Sequence, residues 1–245
     1  MQAHGDIIAA QAGPCEGLAG LRGIYIGADA TNPTLILRIR SFLRAGITLT
    51  AFTFRRHKFN TDYAPEWENV PLGETVDRNY FRRLPALLRG LRRILEHRET
   101  LSSADFIYAR NFDLVLLALA ARALSGTSAK IVYEVEDVQE IFFKRTVSGA
   151  LFRWIERRVL ARIDLLVPLS PGFVHGYFEP VQGYQGPSQV LENKLQLGDK
   201  SDAPTPAGRE WEDVSDRWVI GWFGTLRCPK SMKLLEEIAE AMGDK

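Results

Sequence analysis

Hydrophobic residues in this chain fall into short unbroken runs separated by stretches of helical spacing. The runs 23–28 (GIYIGA), 47–54 (ITLTAFTF), 104–110 (ADFIYAR), 130–137 (KIVYEVED) and 164–170 (DLLVPLS) are apolar on both faces. Such runs predict strands covered on both sides, as in a parallel sheet. A last short strand is predicted at 188–193 (SQVLEN). Leu35, Ile39, Phe42 and Leu43 recur at helical spacing behind Pro33, and Gly46 closes that helix. Further helices are predicted over 82–99, 113–126 and 150–163, with a helix start at 171–178, while 55–79 reads as a polar loop. This alternation predicts an α/β fold, a doubly wound parallel sheet of Rossmann type.

The pattern divides the chain. Residues 1–21 form a flexible lead and 22–197 the Rossmann-like domain. Residues 198–217, polar and proline-bearing, read as a linker. A new strand (RWVIGWFG) and a helix then open a second domain over 218–245. The 245 residues are 46% hydrophobic and 25% charged, an ordinary globular composition. A net charge of +1 makes any basic surface local. Cys15 and Cys228 give no disulfide framework, which places the chain in a reducing cytoplasmic setting. The N-terminus has no basic segment followed by a sustained apolar run, so it is not a secretory signal. The apolar stretch LVLLALAARAL is too short to span a bilayer.

In a doubly wound sheet, ligands bind beyond the carboxyl ends of the strands. There the sequence places Asp29 and Asn32, then Arg110 and Asn111, then Glu136 and Asp137, then Ser170. Asp29, Asn32, Asn111, Asp137 and Ser170 also stand where helix caps are expected, so each carries a capping reading beside the functional one. His4, His57, His97 and His175 are scattered, and no Cys/His spacing points to zinc. Neither a G-x-S-x-G elbow nor the dinucleotide fingerprint G-x-G-x-x-G occurs, which removes the serine-hydrolase and oxidoreductase readings.

Two basic segments remain. In GWFGTLRCPKS, Gly224 follows a strand, and Arg227 and Lys230 flank a helix start. Free N–H groups and cations there favour a diphosphate, although ordinary strand–turn–helix packing accounts for the spacing equally well. The 81–98 segment sets leucines on one face and Arg82, Arg83, Arg89, Arg92 and Arg93 on the other. Such a helix either lies on an anionic membrane or covers the sheet with a solvated basic face. Arg55 and Arg56, in FRRHK at a strand end, suit an anionic acceptor. Aromatics are not interleaved with these cations, which argues against nucleic acid.

Taken together, the segments DATNPTLILRIRSFLRAG, FTFRRHKF, YARNFDLVLLALAAR, YEVEDVQEI, DLLVPLSPGFVHGYF, VLENKL and IGWFGTLRCPKSMKLLEEIA resemble the family 4 glycosyltransferases of GT-B type. The likeness runs from Gly23 to Met242. It implies an N-terminal acceptor domain facing a C-terminal domain that holds a nucleotide-diphosphate sugar. It implies retaining transfer of a sugar to a glycan or lipid-linked acceptor in cell-surface polysaccharide synthesis, on the inner face of the membrane. By the resemblance, Gly224, Arg227 and Lys230 bind the donor phosphates, so that no metal is required. Asp29, Asn32, Arg55, Arg56, Arg110, Asn111 and Ser170 line the acceptor side. Many members place a histidine after the fourth strand; here Glu136 and Asp137 stand there as the catalytic candidates. The family's E-x7-E donor motif would fall past Lys245, so the expectation is an incomplete donor domain and an inactive fragment. The competing expectation is a non-catalytic module whose partner subunit supplies the donor half.

Overall fold

The computed structural model describes residues 17–56, 62–75, 80–193 and 229–242. The chain divides into two compact units, Met1–Leu195 and Gln196–Lys245. In the first, six parallel strands form one sheet: β1 (Arg22–Gly27), β2 (Thr48–Arg55), β3 (Asn69–Glu74), β4 (Phe106–Arg110), β5 (Lys130–Val135) and β6 (Leu165–Pro168). Their order, β3-β2-β1-β4-β5-β6, reverses direction between β1 and β4. That is the doubly wound arrangement the alternation predicts, and it sets the switch point, where such folds bind ligands, beyond the carboxyl ends of β1 and β4.

Helix α1 (Pro33–Arg44) covers one face of the sheet, with Leu35 and Ile39 buried against Tyr25, Leu49 and Tyr108. Asn32 caps it by accepting from the Thr34 and Leu35 N–H groups, and Gly46 leaves it with φ 82°. Helices α2 (Tyr80–Glu96), α4 (Phe112–Ser125) and α5 (Val147–Leu160) cover the other face, with the short α3 (Arg98–Ser102) after α2. Their apolar sides build the larger core around Phe52, Phe54, Ile107, Ile131 and Leu166. Gly90 lets α2 approach closely: a Cβ there would lie 2.7 Å from the Phe54 ring.

Three local predictions differ from the structure. The presumed loop 55–79 contains β3, an edge strand whose Pro71 and Gly73 masked its strand character. An edge tolerates a residue with no N–H to donate. The expected strand 188–193 is extended chain instead, joined to β6 by one bridge at Ser188 and by hydrogen bonds from Gln189 and Leu191. A 3-10 turn, Glu140–Phe143, precedes α5, and the helix start at Pro171 (α6, Pro171–Phe173) widens into a π-turn at Val174–Phe178.

That π-turn places Tyr177 beside a buried carboxyl. Glu156 on α5 accepts hydrogen bonds from Tyr177 and Gln182. Burial pushes the Glu156 carboxyl up to about 7, against the two hydrogen bonds, which pull it down. The folded state therefore holds this proton more tightly than the unfolded chain, where the value is near 4.5. The resulting stabilisation is full below 4.5 and is lost as pH rises through 7. It amounts to about 3 kcal/mol, or roughly 6–12 °C in Tm for a domain of this size. Glu156→Gln keeps a carbonyl oxygen for both donors. It is expected to raise Tm at alkaline pH and to flatten this part of the Tm–pH curve. A variant curve parallel to the wild type would refute the assignment.

In the second unit the described residues form helix α7 (Pro229–Met242). Lys230 stands exposed in its first turn. Gly224, Arg227, the 198–217 linker and the expected strand over 217–224 lie outside the described residues.

Candidate functional site

The sheet register assembles a row of charges at its carboxyl edge. Side chains alternate along a strand, so Tyr108 and Arg110 on β4 share a face with Val132 and Glu134 on β5. Arg110 and Glu134 are register partners on adjacent strands. Helix α1 lays Arg38 over the same face, where its guanidinium donates to Glu134 Oε1 at 2.8 Å. Arg110 Nε lies 3.9 Å from Glu134 Oε2, and the far end of its guanidinium pairs with Glu136. Asn111 Nδ2 donates to the other Glu136 oxygen at 3.2 Å. Charges therefore alternate from Arg38 through Glu134 and Arg110 to Glu136, with Glu134 fully buried and Glu136 reaching solvent.

Beneath this row Tyr25 and Tyr108 stack with ring centroids 5.3 Å apart. Burial, then the nearby Glu134 charge, pushes both hydroxyls far up, so they stay protonated. A buried carboxylate between two guanidiniums and above two phenols is expensive to desolvate and is held only by its partners. What the row delivers is a fixed carboxylate: Glu136 is gripped on one oxygen by Arg110 and on the other by Asn111. Such a group can accept a hydrogen bond from a ligand hydroxyl at this edge of the sheet.

Backbone strain marks the same spot. Asn111 has φ 74° and ψ 161°, a region that favours glycine, and its N–H donates to the Glu134 carbonyl. The capping expectation for Asn111 is therefore corrected. Its side chain makes no cap to α4 and turns to Glu136 instead.

The other predicted residues are spread along the same edge. Asp29 is buried after β1; its Oδ1 accepts from the Thr31 N–H and hydroxyl, and its Oδ2 is buried without a hydrogen-bond partner. Asn32 and Ser170 are consumed as caps, Ser170 accepting from the Gly172 N–H. Arg55 and Arg56 leave β2 half-buried, donating to the Tyr63 carbonyl and the Thr75 hydroxyl. Asp137 is exposed beside Glu136. Arg110, expected to touch an acceptor, is buried and pairs with Glu136. Of the membrane-facing set, Arg89, Arg92 and Arg93 are exposed on α2, and the Arg82 side chain lies outside the described residues. Arg83 is a correction: it is buried in an ion pair with Asp113 of α4, because its turn of α2 faces that helix.

Arg38 and Glu134 were missed by the sequence reading. The signal for Glu134 is a charge inside a run otherwise apolar on both faces, a position that charges occupy only when paired.

Residues 39–185, more than half of the chain, match the glycosyl transferase 4-like domain. The chain belongs to the glycosyl transferase 4-like family. This glycosyl transferase 4-like chain is 30% identical over 226 residues to the succinoglycan biosynthesis protein ExoL of Rhizobium meliloti (strain 1021), covering 91% of itself and 55% of that protein. It thus spans about half the length of the curated relative it matches. Among solved structures, it resembles the lipopolysaccharide outer core galactosyltransferase WaaB with a TM-score of 0.51 at 15% identity, over 73% of this chain and 47% of that one. This likeness is one of fold, and the family match does not favour the non-catalytic module. The matched region takes in Arg110, Asn111 and Glu136, whereas Asp29, Asn32 and Arg38 precede it. Among the described residues, no helix is long and apolar enough to cross a membrane.

Proposed function

We propose that this chain is the acceptor-binding lobe of a glycosyltransferase in polysaccharide assembly, passing a sugar from a nucleotide-diphosphate donor to a glycan or lipid-linked acceptor. The observation that carries the site is Glu136, a carboxylate fixed on both oxygens just past β5, beside the switch-point strand β4, in a family member. In this reading Glu136 receives a hydrogen bond from the acceptor hydroxyl, and Asp137 stands beside it at the cleft. The Gly224 turn approaches the donor diphosphate, and Arg227 and Lys230 neutralise the leaving group, so that the reaction needs no metal. Transfer proceeds with retention. The chain works at the cytoplasmic face of a membrane, where the exposed Arg89, Arg92 and Arg93 contribute about 1 kcal/mol each against anionic lipid.

The test is transfer of radiolabel from UDP- and GDP-sugars to a membrane extract of the host by the full-length gene product. Label is expected in the lipid or polymer fraction with one donor. Glu136→Gln should lower kcat/KM by roughly 10- to 100-fold, the worth of a hydrogen bond to a charged group. Asn111→Gly should relieve backbone strain, raising stability by about 1 kcal/mol, while lowering transfer because Glu136 loses one of its clamps. Undiminished transfer by both variants would remove Glu136 from the site.

A further inference from the structure

Helix α5 carries two apolar faces, and the fold uses one. Phe152, Ile155 and Val159 pack into the core, and Gly149 and Glu156 are buried with them. The opposite side bears Val147, Leu151 and Trp154, followed by Arg158 at the same helical spacing. Val147 is 89% exposed, and Leu151 and Trp154 are each 52% exposed. Phe143, 56% exposed just before the helix, extends this stripe while its ring touches Tyr177. Large apolar side chains aligned in this way on a surface mark an interaction site rather than chance exposure.

The charges around the stripe identify its partner. Lys144, Arg145, Arg157 and Arg158 are all exposed along it, and the Arg158 guanidinium lies 5.0 Å from the Trp154 ring centroid. Of the segment's acidic residues Glu156 points into the core, and Glu140 pairs with Lys144 at 3.4 Å, which leaves Arg145, Arg157 and Arg158 in excess. An apolar strip with a tryptophan, edged by cations, matches an anionic lipid surface, where the ring sits at the headgroup level and the cations meet phosphate. A second copy of this face would bring cations against cations. Neighbouring helices continue the character, since α2 and α5 both pack beside α4 on one side of the sheet, with Leu84, Leu88 and Leu116 exposed on α2 and α4.

Position ties the stripe to the site. The 3-10 turn and the start of α5 follow the carboxyl end of β5, so Phe143 and Val147 stand at the sheet edge that carries Glu136. We infer that the Phe143–Arg158 stripe of α5 docks on an anionic bilayer, seating the cleft mouth at the headgroups where a lipid-linked acceptor presents its sugar. This deepens the membrane part of the proposed function and rests on it, moving the insertion element from α2 to α5.

The test uses the 245-residue chain with vesicles of phosphatidylcholine alone or mixed with phosphatidylglycerol. Flotation is expected only with the anionic vesicles, accompanied by a blue shift of tryptophan emission that Trp154→Phe removes. The double substitution Val147→Ser and Leu151→Gln, both at exposed helix positions, should weaken vesicle binding on the order of tenfold or more with Tm unchanged. Vesicle binding with a silent Trp154 and an unaffected double variant would overturn the α5 assignment and leave the membrane reading standing. No binding to either vesicle would remove both. Self-association abolished by the double variant, without lipid binding, would give the face to a second copy and overturn the inference.

Discussion

Replacing Glu134 by Leu is expected to lower the stability of the first unit by about 3–5 kcal/mol, the usual result of removing one partner from a buried ion pair. Glu134 holds Arg38 on one side and stands 3.9 Å from Arg110 on the other, with Glu134 and Arg110 almost free of solvent and the Arg38 side chain 13% exposed. Without the carboxylate, Arg38 loses its only acidic partner among the described residues, and Arg110 leans on Glu136 alone. For a domain of this size the loss lowers Tm by roughly 10 °C or more. Glu134→Gln keeps the volume and removes only the charge, so it separates electrostatics from packing. The double variant Arg38→Met with Glu134→Leu should recover part of the loss, since an apolar pair can replace a buried ionic one. Transfer should fall as well in Glu134→Gln, because Arg110 then has less to hold it where it grips Glu136. A Glu134→Leu protein that melts with the wild type would show that the buried row carries no net stability.

That row shows where sequence reading reaches and where it stops. Period-2 and period-3.6 patterns located five strands and the main helices because burial on both faces leaves short, mostly apolar runs, as in 23–28 (GIYIGA) and 131–133 (IVY). Edge strand β3 escaped because Pro71 and Gly73 are tolerated where one side is unpaired. Strand ends placed Arg110, Asn111 and Glu136 along the correct edge, since the polar residue closing each apolar run is visible in one dimension. Their mutual contacts were not visible. The pairing of Arg110 with Glu134 depends on the β4–β5 register, and that of Arg38 with Glu134 depends on which face of α1 meets the sheet. Strain at Asn111 is likewise a property of the folded turn, since sequence alone offers a cap reading that the backbone angle rejects.

Arg83 supplies the second large effect, and the clearest case of a pattern misassigning a charge. Reading the segment as one basic face groups it with Arg89, Arg92 and Arg93, yet at 100° per residue it lies beside Leu87 and Ile94 and opposite Arg92, where it is buried and paired with Asp113 in the first turn of α4. Asp113 sits at a helix N-terminus, where the backbone dipole favours a carboxylate, and Arg83 answers it from α2. Removing either partner leaves a buried charge alone between two helices that pack side by side. Arg83→Met and Asp113→Leu are each expected to cost about 3–5 kcal/mol, and the double variant much less than the two together. Thermal melts of the four proteins give the coupling directly. A membrane role for Arg83 predicts the opposite set of results: Arg83→Met would weaken binding to anionic vesicles and leave the melt unchanged, as expected for the exposed Arg92, whose side chain is 87% accessible. The same two measurements on Arg83→Met and Arg92→Glu therefore sort the α2 cations into those that build the lobe and those free to meet a surface.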